Sequence, residues 1–487
     1  MEKYRELEKM MADYFLLSYV IEFLEHDMES DMPIGGNEIR AKELGLLEVM
    51  KNNIMKNENW KSVFNACIDN KELSEEQRIN TKLTHRLWIH DSALPEELLT
   101  RLANVKAKTN ITWSDAKHGK GGFKENLSNL EEIFEITKEI ADIKSKMLKL
   151  SPYDALLDSY SPGLSSEKID IIFNDLKGFL PDFIKQNKKE CKQLSNDYSR
   201  EQKKIYSKKL LELIGFDFNY GRLAEVIHPH MTGPATDVII APNFDEDLIK
   251  LTGSVIHEGG HGIYQQSLKN YLSPIGSPLG MAIHESQSLF FEKQIGKNKF
   301  FLKKVADLLQ EVFGDKEELS YNNILKLNRE IKPDFIRIES DEATYPLHII
   351  MRYEIEKGIL ENKIKVKDLP DVWNEKMKEY LGIVPQNDLQ GCLQDCHWFF
   401  ALVGYFPAYT FGALVAAQIM DKMKMEIQNI EQELENGNLS KIREWLYNNI
   451  YIHGSSLNFE ELVKRATGKE LGTDAFKEHL KDRLLDI

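Results

Sequence analysis

Proline and glycine are scarce in this chain. Fifteen prolines and 28 glycines serve 487 residues, and no proline falls in 34–94, 96–151, 182–228 or 408–487. A proline inside a helix costs roughly 3 kcal/mol, so these proline-free, Lys/Glu/Leu-rich stretches favour helices. Cysteine is scarcer still, with Cys67, Cys191, Cys392 and Cys396 only. Four scattered thiols exclude a disulfide framework. Positive charge is in deficit, 63 basic against 78 acidic residues, a net charge of −15. General nucleic-acid or anionic-membrane binding needs a basic face, so neither is expected. The opening run MEKYRELEKMMADYF has no basic n-region and no unbroken apolar h-region, so no secretory signal is expected and the setting is read as cytoplasmic.

Apolar residues at 42 % are enough to build a core at this length. One segment stands apart: from Trp398 to Met420 there are 23 residues without a charge. That is long enough to span a bilayer. It also contains Gly404, Pro407, Gly412, Tyr405, Tyr409 and Gln418, which suit a buried wall beside a cavity better than a lipid-facing helix.

Residues 1–220 read as charge-rich amphipathic helices. In 124–149, Leu127, Leu130, Ile133, Phe134, Ile136 and Ile140 recur at helical spacing. The texture changes near 221. Five prolines lie between 229 and 278, and seven of the 13 histidines lie between 228 and 397. Asp237-Val-Ile-Ile-Ala241, β-branched and flanked by Pro234 and Pro242, is the best strand. No linker-like tract appears. The expectation is one large, mainly α domain, with a helical N-terminal lobe (1–220) contributing to a groove wall and a catalytic lobe (221–487).

Residues 257–261 read His-Glu-Gly-Gly-His. On a helix, positions i and i+4 lie about 40° apart and one turn along, so both imidazoles can grip one ion. Neutral imidazole suits zinc. Glu258 then stands within reach of a metal-activated water, the place of a general base. The two inner glycines each cost about 1 kcal/mol in a helix. Close packing against a neighbour is one explanation, and absorption of the cost by tertiary packing is the other.

A catalytic zinc takes a third protein ligand. The metzincin pattern fails, because Ser267 stands where its histidine belongs and Tyr264 where its glycine belongs. The remaining candidates are Glu285 and Glu292 in Met281-Ala-Ile-His-Glu-Ser-Gln-Ser-Leu-Phe-Phe-Glu292, which share a helix face at i, i+7. Glu285 is favoured, after a helix–loop–helix return through Ser273-Pro-Ile-Gly276, with His284 and Gln287 as outer hydrogen-bond partners.

HEGGH followed by HESQS resembles the Taq carboxypeptidase family. So do Tyr153-Asp-Ala-Leu-Leu-Asp158, His228-Pro229, Ile336-Arg337 with Asp341, Leu347-His348 with Arg352, and Gly391-Cys-Leu-Gln-Asp395 with His397-Trp398. The resemblance runs along nearly the whole chain. It implies a zincin-like, mainly helical fold with a small β-sheet beside a deep active-site groove, working as a homodimer. It implies a metallocarboxypeptidase that releases single C-terminal residues from peptides with a free carboxylate, using one Zn²⁺ (or Co²⁺) per chain. The implied ligands are His257, His261 and Glu285, with Glu258 as base. Rival readings are an oligopeptidase or dipeptidyl carboxypeptidase with the same metal site, and a metal-bound peptide binder without catalysis.

A carboxypeptidase must hold a free carboxylate, a task suited to arginine's bidentate fork. Arg337, Asp341, Tyr345, His348 and Arg352 form one stripe if 335–353 is a helix kinked at Pro346. Arg352 is the first candidate for the chain end and Arg337 the second. The resemblance adds Asp341, His228, Gln394 and Asp395 to the groove, and His397, Tyr405 and Tyr409 as substrate or transition-state donors. Cys392 and Cys396, read at i, i+4 on a buried helix beside His397, are too few for a structural zinc. The family's Asp-x-Arg-x-Thr run is here Asp237-Val-Ile239-Ile-Ala241, lacking both Arg and Thr.

Overall fold

The computed structural model describes residues 1–187, 194 and 197–485. Cys191 lies outside the described residues. The chain opens with α1 (Glu2–Glu29), α2 (Asn37–Met55), α3 (Asn59–Cys67) and α4 (Glu75–Ser92). Next come α5 (Glu96–Lys117), α6 (Phe123–Leu148), α7 (Pro152–Leu157), α8 (Ser166–Asn187) and α9 (Arg200–Ile214). Three short strands follow, β1 (Gly221–Leu223), β2 (His230–Thr232) and β3 (Val238–Ala241). After them come α10 (Leu248–Ser267), α11 (Gly280–Leu289), a π-helical turn (Phe290–Gly296), α12 (Phe301–Phe313) and α13 (Tyr321–Leu327). The rest is α14 (Tyr345–Leu360), α15 (Leu369–Leu381), α16 (Pro407–Glu426), α17 (Ile430–Asn436), α18 (Ser440–Asn449), α19 (Phe459–Thr467) and α20 (Asp474–Leu484). The fold is mainly α with one small sheet, as expected.

Two compact units are interleaved in sequence. The first takes Met1–Ser92, Cys191–Arg329 and Gly412–Leu471, and the second Ala93–Glu190, Glu330–Phe411 and Gly472–Ile487. Position 220 falls inside the first. In that unit β3 is the central strand, parallel to β1 and antiparallel to β2. All four of its residues are buried, which explains the unbroken run Val-Ile-Ile-Ala where an edge strand would alternate. The chain then passes to α10, whose N-terminus is capped by Asp247: its Oδ1 accepts from the backbone N–H of Ile249 and Lys250.

The glycines of α10 are packing residues. A Cβ on Gly259 would come within 2.6 Å of Ile214 and 2.7 Å of Leu211 on α9. One on Gly262 would press on Ile240 of β3 and on Phe216, at 2.8 Å each. One on Gly260 would lie 2.8 Å from Ser288 Cα and 2.9 Å from Gln287 O, both backbone atoms of α11. Gly412 of α16 plays the same part, since its Cβ would stand 2.7 Å from Glu285 Cβ. Gly260 and Gly412 bring α10 and α16 to near backbone contact with α11, and Gly259 and Gly262 seat α10 on α9 and β3, which together set where the histidines and Glu285 stand.

Three local expectations are corrected. Residues 335–353 are not one helix: Arg337–Glu339 form a single 3-10 turn and α14 starts at Tyr345. Pro346 opens that helix at its first turn, where no N–H is needed, and does not kink it. Cys392 and Cys396 lie in turns, not on a helix. The uncharged run breaks into a 3-10 turn at Trp398–Phe400 and the start of α16, separated by Ala401 and Gly404 with positive φ. No helix of the described residues is long and apolar enough to cross a membrane.

Gly260→Ala tests the packing. Helix propensity alone would stabilise by about 1 kcal/mol. Contact with the α11 backbone should instead produce a net loss of about 1–3 kcal/mol, read from the midpoint of chemical denaturation.

Candidate metal centre and carboxylate cluster

His257 and His261 sit one turn apart on α10, and Glu285 reaches them from α11. Glu285 Oε2 lies 3.6 Å from His257 Nε2 and 3.9 Å from His261 Nε2. Among the described residues this trio is the one group whose ligand atoms converge for a metal, all within 4.8 Å of one another. A tetrahedral shell with bonds of ~2.0–2.2 Å places its ligand atoms about 3.3–3.6 Å apart. The trio is therefore nearly at ligand spacing. The donor set, two imidazoles and one carboxylate, fits a borderline cation such as zinc.

The far side of each ring is engaged too. His257 Nδ1 faces Glu292 Oε2 at 3.0 Å. His261 Nδ1 faces His284 Nδ1 at 2.5 Å. Of the two candidate third ligands, Glu285 thus meets the Nε2 side and Glu292 the opposite nitrogen of the same ring. Gln287 is fully buried and donates to Ser286 Oγ, away from both histidines.

Electrostatics follow from burial. Burial pushes Glu258 up to about 7, with Glu285 and Glu292 adding to the rise against the pull of His257. Burial, with His284 and His257 nearby, holds His261 well below the usual imidazole range, so it is neutral as a ligand must be. His284 is likewise lowered by burial to about 4. Burial opposes the charged form of His257, but the bond to Glu292 and the surrounding carboxylates raise it to about 9.

In the second unit a different cluster forms around Asp395. Arg337 Nε and Nη2 grip its carboxylate, Nη2 at 2.9 Å, and Arg337 Nη1 donates to Tyr345 Oη. Arg352 Nε donates to Asp395 Oδ2 at 2.7 Å, its Nη1 to His348 O, and its Nη2 to Gln394 Oε1. Gln394 Oε1 also accepts from Arg337 N. Burial opposes ionisation of Asp395, but the two guanidiniums win and hold it well below the usual carboxylate range. Arg352 itself is fully buried, stacked 4.5 Å from the Trp373 ring centre.

The comparisons with known proteins cover the same ground. The family model for carboxypeptidase Taq (M32) metallopeptidases matches residues 6–484. The chain belongs to that family. It is 34 % identical over 500 residues to carboxypeptidase 1 of Bacillus subtilis, covering 100 % of this chain and 98 % of that protein. It is 29 % identical to thermostable carboxypeptidase 1 of Pyrococcus furiosus, with 98 % of each chain covered. Its fold superposes on Trypanosoma cruzi metallocarboxypeptidase 1 with a TM-score of 0.95 at 30 % identity, over 100 % of both chains. Membership makes this protein a metallocarboxypeptidase.

Within the M32 carboxypeptidase the remaining expected residues take varied places. Asp341 is turned onto its own loop: Oδ1 accepts from Ala343 N and Thr344 N, and Oδ2 from Lys332 N and Thr344 Oγ1. His228 is exposed, and its carbonyl is met by the His230 ring. His397 is buried among Tyr405, Phe406 and Tyr409, and burial lowers it to about 4. Ile239, where the family has arginine, is buried in β3 between Arg222 of β1 and Thr232 of β2. Sequence reasoning missed Glu356. It is buried beneath the apolar run and takes hydrogen bonds from Trp398 Nε1, Gly404 N and Tyr153 Oη. Its only sequence signal is a glutamate amid the apolar residues of α14.

Asp395 is the keystone of its cluster. Removing Arg352 leaves Asp395 with Arg337 as its remaining guanidinium partner, so Arg352→Met should cost about 1–3 kcal/mol. The lowered Asp395 makes its contribution full above ~4, the unfolded value, and lost as pH falls below it. Arg352→Met should therefore flatten the acid limb of the stability–pH profile, measured by thermal unfolding from about pH 3 to about pH 7.

Proposed function

We propose that this carboxypeptidase binds one Zn²⁺ per chain, with Co²⁺ as the alternative, through His257 Nε2, His261 Nε2 and Glu285, and trims peptides one residue at a time from a free C-terminus. The convergence of these three donors beside a buried glutamate carries the reading. When bound, the zinc supplies a Lewis acid that polarises a carbonyl and acidifies water.

Glu258 is the base. Its carboxylate takes a proton from water as the oxygen bonds to the scissile carbonyl carbon. It hands that proton to the amine nitrogen as the C–N bond breaks. A carboxyl lifted toward about 7 by burial is matched to both transfers near neutral pH. A cation alongside lowers it again, so the acid limb of activity falls at or below that value.

Arg337, not Arg352, is proposed to hold the chain end. All five N–H of Arg352 face Asp395, Gln394 or His348. Arg337 spends Nε and one N–H of Nη2 on Asp395, and one N–H of Nη1 on Tyr345, which leaves one on each Nη for a carboxylate fork. Two arginines on one aspartate leave a local positive excess suited to an anionic end. Gln394 and Asp395 then act by fixing Arg337, and His397, Tyr405 and Tyr409 remain proposed donors to substrate. A homodimer is supported by α2, where Met55 is the single buried residue while Ile39, Leu46, Val49 and Met50 are exposed. A cytoplasmic setting is supported by Cys67, Cys392 and Cys396 standing as free thiols.

Glu258→Gln should lower kcat by about 10²–10⁴-fold with zinc still bound, and full activity would sink the assignment. Mass spectrometry of products from free-acid and C-terminally amidated peptides tests the chain-end reading. Single residues should be released from the acids and almost none from the amides, whereas dipeptide products would favour a dipeptidyl carboxypeptidase. Arg337→Ala should raise KM for the acids by at least ~10-fold, the scale of one charge-assisted hydrogen bond.

A further inference from the structure

We propose that Glu292 is a positioning residue for the metal centre, fixing the tautomer and orientation of His257 from behind while Lys293 and Lys297 hold it in place. The inference rests on the reading that His257 binds the metal.

One imidazole lies between two carboxylates. Glu285 approaches Nε2 at 3.6 Å and Glu292 takes Nδ1 at 3.0 Å. A carboxylate at Nδ1 keeps the N–H on that nitrogen, so a metal arriving on the Glu285 side would displace the proton of Nε2 and take its lone pair. An N–H held at Nδ1 is what a ligand through Nε2 requires. An anionic partner also makes the ring a better electron donor.

The two oxygens of Glu292 divide the work. Oε2 faces His257, while Oε1 is 2.5 Å from Lys293 Nζ and 3.5 Å from Lys297 Nζ. A carboxylate with both oxygens anchored in this way has little rotamer freedom left.

Local backbone supports the same role. On a straight α-helix, residues seven apart lie about 20° from one another, so Glu285 and Glu292 would project along one line. Here the helix turns π-helical from Phe290, between the two. Such turns are rare and recur at functional sites.

His261 is supported differently. Its Nδ1 faces the ring of His284, a neutral partner. The two histidines of one motif thus rest on unlike groups, and His257 is the one with anionic support.

The test is zinc affinity of the full-length, metal-stripped protein, measured by competition with a chromophoric chelator. Glu292→Gln should raise the zinc dissociation constant 10–100-fold, with kcat recovering at saturating zinc and peptide KM unchanged. Glu292→Asp keeps the charge beside the lysines but shortens the reach to Nδ1, and should also weaken zinc by at least ~10-fold. It decides the matter if the glutamine variant does not fold. Zinc affinity within about 2-fold of wild type in a folded variant overturns the proposal. So does complete loss of binding equal to that of Glu285→Gln, which would make Glu292 a ligand. Failure of the unaltered protein to bind zinc would instead defeat the metal reading on which this one rests.

Discussion

Burying three carboxylates in one apolar helix pair is the constraint on which the first unit depends. Glu258 and Glu285 sit with two imidazoles at the contact of α10 and α11, and Glu292 reaches in from the π-helical turn that follows. Carboxylates taken from water at this depth must be paired or neutralised. Lys293 and Lys297 offset one of the three. Burial raises Glu258, the neighbouring carboxylates add to that rise and lift His257, and their charge is what a divalent cation would cancel. The same site thus prefers to be filled.

Packing makes that arrangement rigid. Gly259, Gly260 and Gly262 give up helix propensity so that α9, α11 and β3 can close on α10, and Gly412 does the same so that α16 can close on α11. The exchange is favourable because each missing Cβ admits a whole neighbouring surface. Ligand geometry is then set by backbone contact, not by flexible side chains, which is what a preorganised centre needs. The second unit solves a related problem with the opposite sign. Two guanidiniums converge on Asp395, and aromatic faces of Trp373, Tyr409 and Phe406 cover them. The two differ in how many of their donors Asp395, Gln394, His348 and Tyr345 take up.

Much of this was legible from residue order. The spacing of His257 and His261 is a property of the α-helix itself, and the run 237–241 is β-branched and apolar enough to be read as a buried strand. Other features resisted reading. Glu285 and Glu292 lie at i, i+7, so periodicity places them on one face and cannot separate ligand from support. Arg337 and Arg352 differ little in local context. Their surroundings diverge because Gln394 and Asp395, more than 40 residues further on, join His348 in taking the donors of Arg352 and take only part of those of Arg337. Pro346 was compatible with a kink or a helix start, and the loop closed by Asp341 made it a start.

By itself the sequence determined the helical character, the His-x-x-x-His spacing with its intervening glutamate, and membership of the carboxypeptidase family. These depend on local periodicity and on residue types whose chemistry does not change with context. Tertiary structure alone decided which glutamate faces which nitrogen of His257, which arginine is a strut, and why the motif's glycines are there. Each of those outcomes is a competition between distant segments for the same buried atoms, and such a competition is settled only when the segments pack.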